Sequence, residues 1–552
     1  RRVLFRSSGT FTANGPTDID GTLSITTTGV YDADNTFTAA SGIVNFDGAG
    51  FLRCSNTVSS LGALSTDNGT VEYDGGTQDV LADAYYNLEI DQAGTKTAQG
   101  TVTAAGTLTV QNNGLVVYDI AGTNTTVTGA TTVNHTGSSN SGTINITTGT
   151  FEANGTTDIN GTLTIDGAGT YDANNSFDAA GATVQFTGSG GFLKLGGTVT
   201  SLGTFTESTG TVDYDYAGDQ SVKTRTYYNL NLKNSGTKRT PTSGSTFDVT
   251  VSNDFTIDNG VTFNLDLGND NLVVQGDFTN NGTFTGTNQS VTFSGASSAG
   301  ETSSLINDAS VDLIVSKTHS SGGVTFQGAS SFDEVTVSDG YLDIGAYTFT
   351  ADNTISIDAA GTLKIPNNGT FNADGQLTTS GEIDFTGFGA QGDLICSNTS
   401  LNTFGTMDGA AGTVTFDGSS SQALDDVTFF NVTNSNTSGL TIDGSSKTVT
   451  VNGVLNLNVA ADITTGANTL TIGTVGSISN AAADRHINVD NTSGYLAKST
   501  NSTSAFSFPV GNGTILRPIR LTPSSTTATT YKLRYDDNRF TGAGVGAASG
   551  NV

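Results

Sequence analysis

The chain is predicted to be all-β: a parallel β-helix (β-solenoid) with a C-terminal antiparallel β cap or sandwich-like segment. Three observations predict this. The first is composition. Among 552 residues there are 71 Gly, 6 Pro, one Met and no Trp, and charged residues make up only 13%. The apolar residues are mostly Val, Leu, Ile and Phe, spaced by Thr and broken by Gly, Asn-Gly and Asp-Gly, the pattern of short strands and tight turns. The second is internal repetition. "GTFTANGPTDIDGTLSITTTGVYDADNTFTAASGIVNF" (9–46) returns as "GTFEANGTTDINGTLTIDGAGTYDANNSFDAAGATVQF" (149–186), an offset of about 140 residues. The third is a shorter beat inside each copy. Strand-like runs begin near Gly21, Gly42, Gly69, Asn87 and Gly106, then near Gly142, Gly161, Ala182, Gly210 and Asn229. About 20 residues is one coil of a solenoid, whose rungs bury their inner faces only by stacking.

In chain order, residues 1–8 ("RRVLFRSS") read as a non-native, adapter-like segment lacking the Gly/Thr character of the rest. Residues 9–483 are the repeat region, with large units at about 9–148, 149–288 and 289–483. The second unit repeats "GTVEYDGGTQDV" (69–80) as "GTVDYDYAGDQSV" (210–222), and "YYNLEIDQAGTKT" (85–97) as "YYNLNLKNSGTKR" (227–239). The third holds "GTFNADGQLTTSGEIDF", "GTVTFDG" and "FFNV" at 369–385, 412–418 and 429–432, and a weaker copy appears as "QSVTFSG" and "SVDLIV" at 289–295 and 310–315. The corners fall to Gly and Asn, which adopt positive φ at little cost. Residues 484–552 change texture, with Pro509, Pro518 and Pro523 and alternating strings such as "TYKLRY" that suggest hairpins. The chain is expected to be a fragment truncated at both ends.

The repeated "GTVEYDGGTQDV…YYNLEI…GTKT…GTLTV", followed by "FSFPVGNGTILRPIRL", resembles large secreted surface proteins of Bacteroidota: repetitive, adhesin-like β-rich exoproteins, often exported by the type IX route. The resemblance covers most of residues 9–540 and implies an extracellular or cell-surface location. The sorting domain of that route is not visible in this sequence.

Charge and hydropathy exclude several functions. With 21 basic and 51 acidic residues the formal charge is −30, so nucleic acid is not an expected partner. No run of about 18 apolar residues offers a membrane span.

Candidate chemistry is sparse. His135, His319 and His486 sit in unrelated contexts and read as surface or loop histidines. Cys54 ("LRCSNT") and Cys396 ("LICSNT") occupy equivalent slots where the second copy has Leu195, which marks a buried apolar position. Some 17 rungs apart, or about 80 Å, they are not expected to pair. Asp18 with Asp20 and Asp32 with Asp34 are candidates for weak loop Ca²⁺ binding, but Asp at turns also bonds its own backbone. No cofactor, metal site or catalytic residue is assigned. T-x-T triplets such as Thr107–Thr109 and Thr162–Thr164 would form outward ladders, but coils of unequal length argue against a flat ice-binding face.

The adjacent aromatics of "DAYYNLEI" carry the last expectation. Strict alternation puts Tyr86, Leu88 and Ile90 inside, and leaves Tyr85, Tyr227 and Phe429 as candidate exposed contacts. The functional expectation is a non-catalytic structural or adhesive extracellular repeat protein, cell-surface or secreted, that meets surface glycans or other matrix or cell-surface partners through loops or its end domain. The alternative is a carbohydrate-active β-helix, either a lyase or glycosidase or a carbohydrate-binding protein.

Overall fold

Every regular element is a strand in the computed structural model, which describes residues 9–65, 67–137, 140–241, 248–265, 271–296, 310–318, 322–385, 392–408, 411–489, 493–513 and 515–535, and the backbone alone at 3–5 and 300–303. The chain winds about 22 solenoid turns, divided between two compact units, Arg1–Thr285 and Gly286–Val552.

In the first unit each turn contributes three strands. One face is a ten-stranded parallel sheet running from Thr10–Ala13 to Val199–Ser201. A second carries Gln78–Val80 through Thr204–Thr206, and a third includes Ala84–Tyr85 and Thr211–Tyr214. Side chains stack by identity of direction. Ala33, Cys54, Tyr73, Ile90, Val110, Val133 and Ile159 succeed one another in register on seven turns, each completely buried. Burying each large member of such a stack contributes about 1.5–3 kcal/mol, and this column is what makes one turn depend on the next. The neighbouring outward column on the same strands is polar. Parallel sheets are usually covered on both faces. Here short corners replace crossover helices, so one face stays open and alternation survives.

Turn length varies as the sequence beat predicts. Thr70 is in register with Asn87 across a short turn, whereas Thr131 is in register with Thr157 across a long one. The corners take up the slack with left-handed residues, including Asn68, Asn234, Asn368 and Asn480. One glycine that recurs in each copy is fixed by a ring beneath it. A Cβ on Gly69, Gly210 or Gly412 would fall 2.0–2.2 Å from the rings of Phe46, Phe186 or Phe385, which explains the repeated "GTV" after each corner.

The repeat of about 140 residues does not close on a whole number of turns. Thr10–Ala13 and its counterpart Thr150–Ala153 are twenty strands apart, six three-strand turns plus two. Equivalent strands therefore lie on different faces of the unit: Thr10–Ala13 belongs to the ten-stranded sheet, Thr150–Ala153 to the sheet of Ala84–Tyr85.

In the second unit an eight-stranded parallel sheet runs from Ser330–Phe332 to Ser477–Ser479, with smaller sheets beside it. The change of texture near residue 484 does not end parallel stacking. Ile487–Asn488 pairs in parallel with both Ile463–Thr464 and Val510–Asn512. The antiparallel pairs come later: Phe506–Phe508 with Ile519–Leu521, Val510–Asn512 with Ile515–Leu516, and Tyr495–Thr500 with Thr529–Leu533.

Candidate functional site

The aromatic pairs reverse the expectation placed on them. Tyr85, Tyr227 and Phe429 are 1%, 0% and 0% exposed, while Tyr86, Tyr228 and Phe430 are only half-buried. The alternation was carried across a corner. Ala84–Tyr85 ends one strand, Tyr86 forms the bend, and Asn87–Ile90 starts another. Tyr85, Leu88 and Ile90 therefore point inward together. In the weak copy no corner interrupts Val311–Lys317, and there Val311, Leu313 and Val315 do alternate inward.

Each buried tyrosine is locked by its hydroxyl. The Tyr85 OH donates to the Leu81 carbonyl at 2.8 Å and the Leu81 N–H donates to the Tyr73 OH at 3.2 Å. The two hydroxyls are 2.9 Å apart, so Tyr73 donates to Tyr85 and the three bonds close a ring. The second copy repeats it with Tyr214 and Tyr227, 2.9 Å apart, and the backbone of Lys223. Burial pushes the Tyr214 hydroxyl up to about 12, far from any acid–base role at neutral pH. In the third copy Phe416 and Phe429 pack edge to face without hydroxyls.

Polar side chains inside the corners have the same structural use. Gln78 donates to the carbonyls of Cys54 and Asn56 at 2.8 and 2.5 Å and accepts from Gly75 N–H. Gln220 holds Leu195 and Gly197, and Gln422 holds Cys396 and Asn398, in the same way. One turn on from the first two lie the buried lysines Lys96 and Lys238. The Lys238 ammonium donates to the carbonyls of Tyr216, Gly218 and Ser235, and burial holds it down at about 8, with Asp215 opposing. Buried carbonyls at corners have no ladder partner, and leaving one unmet costs about 1–3 kcal/mol.

The cysteines behave as expected. Both are free and fully buried, and burial raises both thiols. Cys54, Leu195 and Cys396 each stack against an aromatic of the next turn, Tyr73, Tyr214 and Phe416. Of the histidines, His135 is exposed and His319 lies outside the described residues. His486 departs from the surface reading. It is completely buried, its Nδ1 3.1 Å from Asp462 Oδ1, because parallel stacking continues through its turn.

The arrangement closest to a catalytic site is one the sequence reading did not assemble. On the outward face of the ten-stranded sheet Asp32, Arg53, Glu72 and Glu89 succeed one another in register on four turns. Arg53 Nε donates to Glu72 Oε2 at 2.8 Å, Gln111 holds Glu89, and Asn113 donates to both oxygens of Asp91 at 2.8 Å. Burial, reinforced by Glu89, Asp74 and Asp91 and opposed by Arg53, pushes Glu72 up to about 7. A carboxylic acid at that value, one turn from a second carboxylate, has the components of a general acid–base pair. Access to it is wrong for catalysis, because Glu72 is 3% exposed and a substrate would have to displace Arg53. The second copy builds the analogous column on another face, with Glu152, Asp172, Lys194 and Asp213. There Lys233 and Asn231 both bind Asp213 at 2.8 Å. The clue was available, since "GTVEY" and "NLEI" both carry Glu at their outward centre. Aligning them requires knowing how short this turn is, with Thr70 already back in register at Asn87.

The calcium candidates are not brought together. Asp18 and Asp20 are exposed, Asp32 accepts from Thr12, and among the described residues no group of three or more His, Cys, Asp or Glu is placed to hold a metal. No helix among the described residues is long and apolar enough to cross a membrane. Set against known protein families, curated proteins and solved structures, the chain matches none.

Proposed function

We propose that this chain is a non-catalytic structural or adhesive repeat protein of the bacterial cell surface or its surroundings, displaying binding positions on the outside of a β-solenoid. The observation that carries the reading is where the polar groups spend their bonds. Tyr85, Gln78, Lys238 and Gln220 face inward and bind backbone. Arg53 with Glu72, and Lys233 with Asp213, tie one turn to the next. A net charge of −30 keeps such a surface from nucleic acid and from anionic lipid. The test is adhesion of the purified chain to immobilised glycans and matrix polymers, with polysaccharide turnover measured in parallel. Retention without turnover supports the reading.

A second reading, a carbohydrate-active solenoid, is favoured by the Glu72–Glu89 register and by the raised Glu72. Turnover that disappears in Glu72→Gln, with folding intact, would replace the first reading by this one.

A further inference from the structure

The outer corner after the Gln220 strand carries two basic residues that its counterparts lack. By sequence, Lys223 and Arg225 stand where the first copy has Leu81 and Asp83, and where the third has Asp425 and Val427. The backbone beneath is unchanged between the first two copies. Lys223 N–H donates to Tyr214 and its carbonyl accepts from Tyr227, as Leu81 does with Tyr73 and Tyr85. The substitution therefore leaves the scaffold as it is and alters only what faces solvent.

Those residues line a cleft of about 230 Å³ with Thr200, Ser201, Leu202 and Thr224. Arg225 is exposed, and one of its Nη groups is fixed by the Gly203 carbonyl at 2.8 Å. This orients a guanidinium that has five donors in all. Among the described residues neither Arg225 nor Lys223 forms an ion pair. Burial holds Lys223 below its usual range, and Asp178, in register with Ser201, acts on that lysine in the opposite direction. Ser201 Oγ accepts from Gly203 N–H, so its proton is free to donate. Leu202 is buried and forms an apolar base.

We propose that this cleft binds a single acidic sugar residue, through its carboxylate or sulfate, of an extracellular glycan; the inference rests on the adhesive reading above. A planar guanidinium suits a carboxylate or sulfate group. The threonine and serine hydroxyls suit ring hydroxyls. The volume is below the 300–1,000 Å³ usual for drug-sized ligands and admits one ring. A chain of net charge −30 repels densely charged polymers, but at physiological salt that field is screened within about 8 Å. A sparsely charged glycan is the occupant that satisfies both conditions.

The test is calorimetric titration of the whole chain with a largely methyl-esterified oligogalacturonate that keeps isolated free carboxylates, its fully methyl-esterified form and a sparsely sulfated oligogalactan. Binding of at least one acidic oligomer is expected, with affinity falling about tenfold or more on full esterification and in the double variant Lys223→Leu/Arg225→Asp. That variant installs the residues with which the first copy already folds, and an unchanged melting profile checks it. The reciprocal Leu81→Lys/Asp83→Arg should add a second equivalent of ligand. Equal binding of the fully esterified oligomer, no binding of either acidic one, or unchanged affinity in the double variant would each overturn the proposal. So would self-association abolished by the double variant, which would assign the cleft to carboxylates of a second copy. Adhesion to other glycans that survives the double variant leaves the adhesive reading standing, whereas failure of the wild-type chain to adhere to any surface removes both.

Discussion

At Tyr85 and at Tyr227 the same ring of three hydrogen bonds joins two tyrosines to a backbone peptide, yet that peptide belongs to Leu81 in the first copy and to Lys223 in the second. The comparison extends along both copies. Gln78 and Gln220 hold the corner carbonyls alike, and Gly69 and Gly210 lie on Phe46 and Phe186 alike. Cys54 gives way to Leu195 in one apolar slot, and the outward ladder keeps its alternation of charge, Asp32–Arg53–Glu72 becoming Asp172–Lys194–Asp213. The base bound to its last acid changes from Arg53 to Lys233 on the following turn. Interior groups are held by volume and, where they are polar, by hydrogen bonds to the backbone of the corners. Outward groups face water and are free to diverge, and the repeat turns those divergences toward different faces because it spans six turns and two strands.

The largest effect should come from breaking the shared interior. Tyr227→Ala removes a ring from a packed site and opens the hydrogen-bonded ring, at a cost of about 3–5 kcal/mol, whereas Tyr228→Ala on the bend should cost under about 1 kcal/mol. Denaturant midpoints of the two variants measure the difference, and similar midpoints would contradict the corner assignment. Next, Gln220→Ala leaves the carbonyls of Leu195 and Gly197 unmet and should cost about 2–3 kcal/mol, with the same loss for Gln78→Ala if the copies are equivalent. Smaller still is Cys54→Leu, which imports the second copy's residue. It should change stability by less than about 1.5 kcal/mol, while Cys54→Asp should prevent folding of that turn.

The pH dependence of stability probes the outward ladder. Glu72 is raised to about 7 in the folded chain from an ordinary value of 4.5. Between those values the folded state holds a proton that the unfolded state has released, so this group's contribution falls as pH rises from 4.5 to 7. Glu72→Gln should flatten that slope in a melting series. An unchanged slope would locate the titration elsewhere.

Much of this fold was legible in the sequence because a solenoid writes its period twice, once as the long repeat and once as the shorter beat of a single coil. The alternation of Leu88 and Ile90, the Cys54/Leu195/Cys396 slot and the Asn and Gly corners followed directly. What failed did so for one physical reason. Side-chain direction alternates only within a strand, and a corner resets it. Tyr86 sits on such a reset, so Tyr85 was placed outside. Register between turns was equally hidden, because the length of each turn decides which side chains meet, and a short one (Thr70 to Asn87) and a long one (Thr131 to Thr157) occur in the same unit. That concealed the Asp32–Arg53–Glu72–Glu89 column and the partner of His486. The basic cleft was missed because its two residues are unremarkable in sequence and stand out only against their counterparts at the same corner.

Hydroxyl-radical footprinting of the intact chain, with modification sites resolved by tandem mass spectrometry, tests the central claim most directly, since it reads which aromatic of each pair meets water. Oxidation of Tyr86, Tyr228 and Phe430 with protection of Tyr85, Tyr227 and Phe429 is the predicted result. Preferential oxidation of Tyr85, Tyr227 and Phe429 would contradict it.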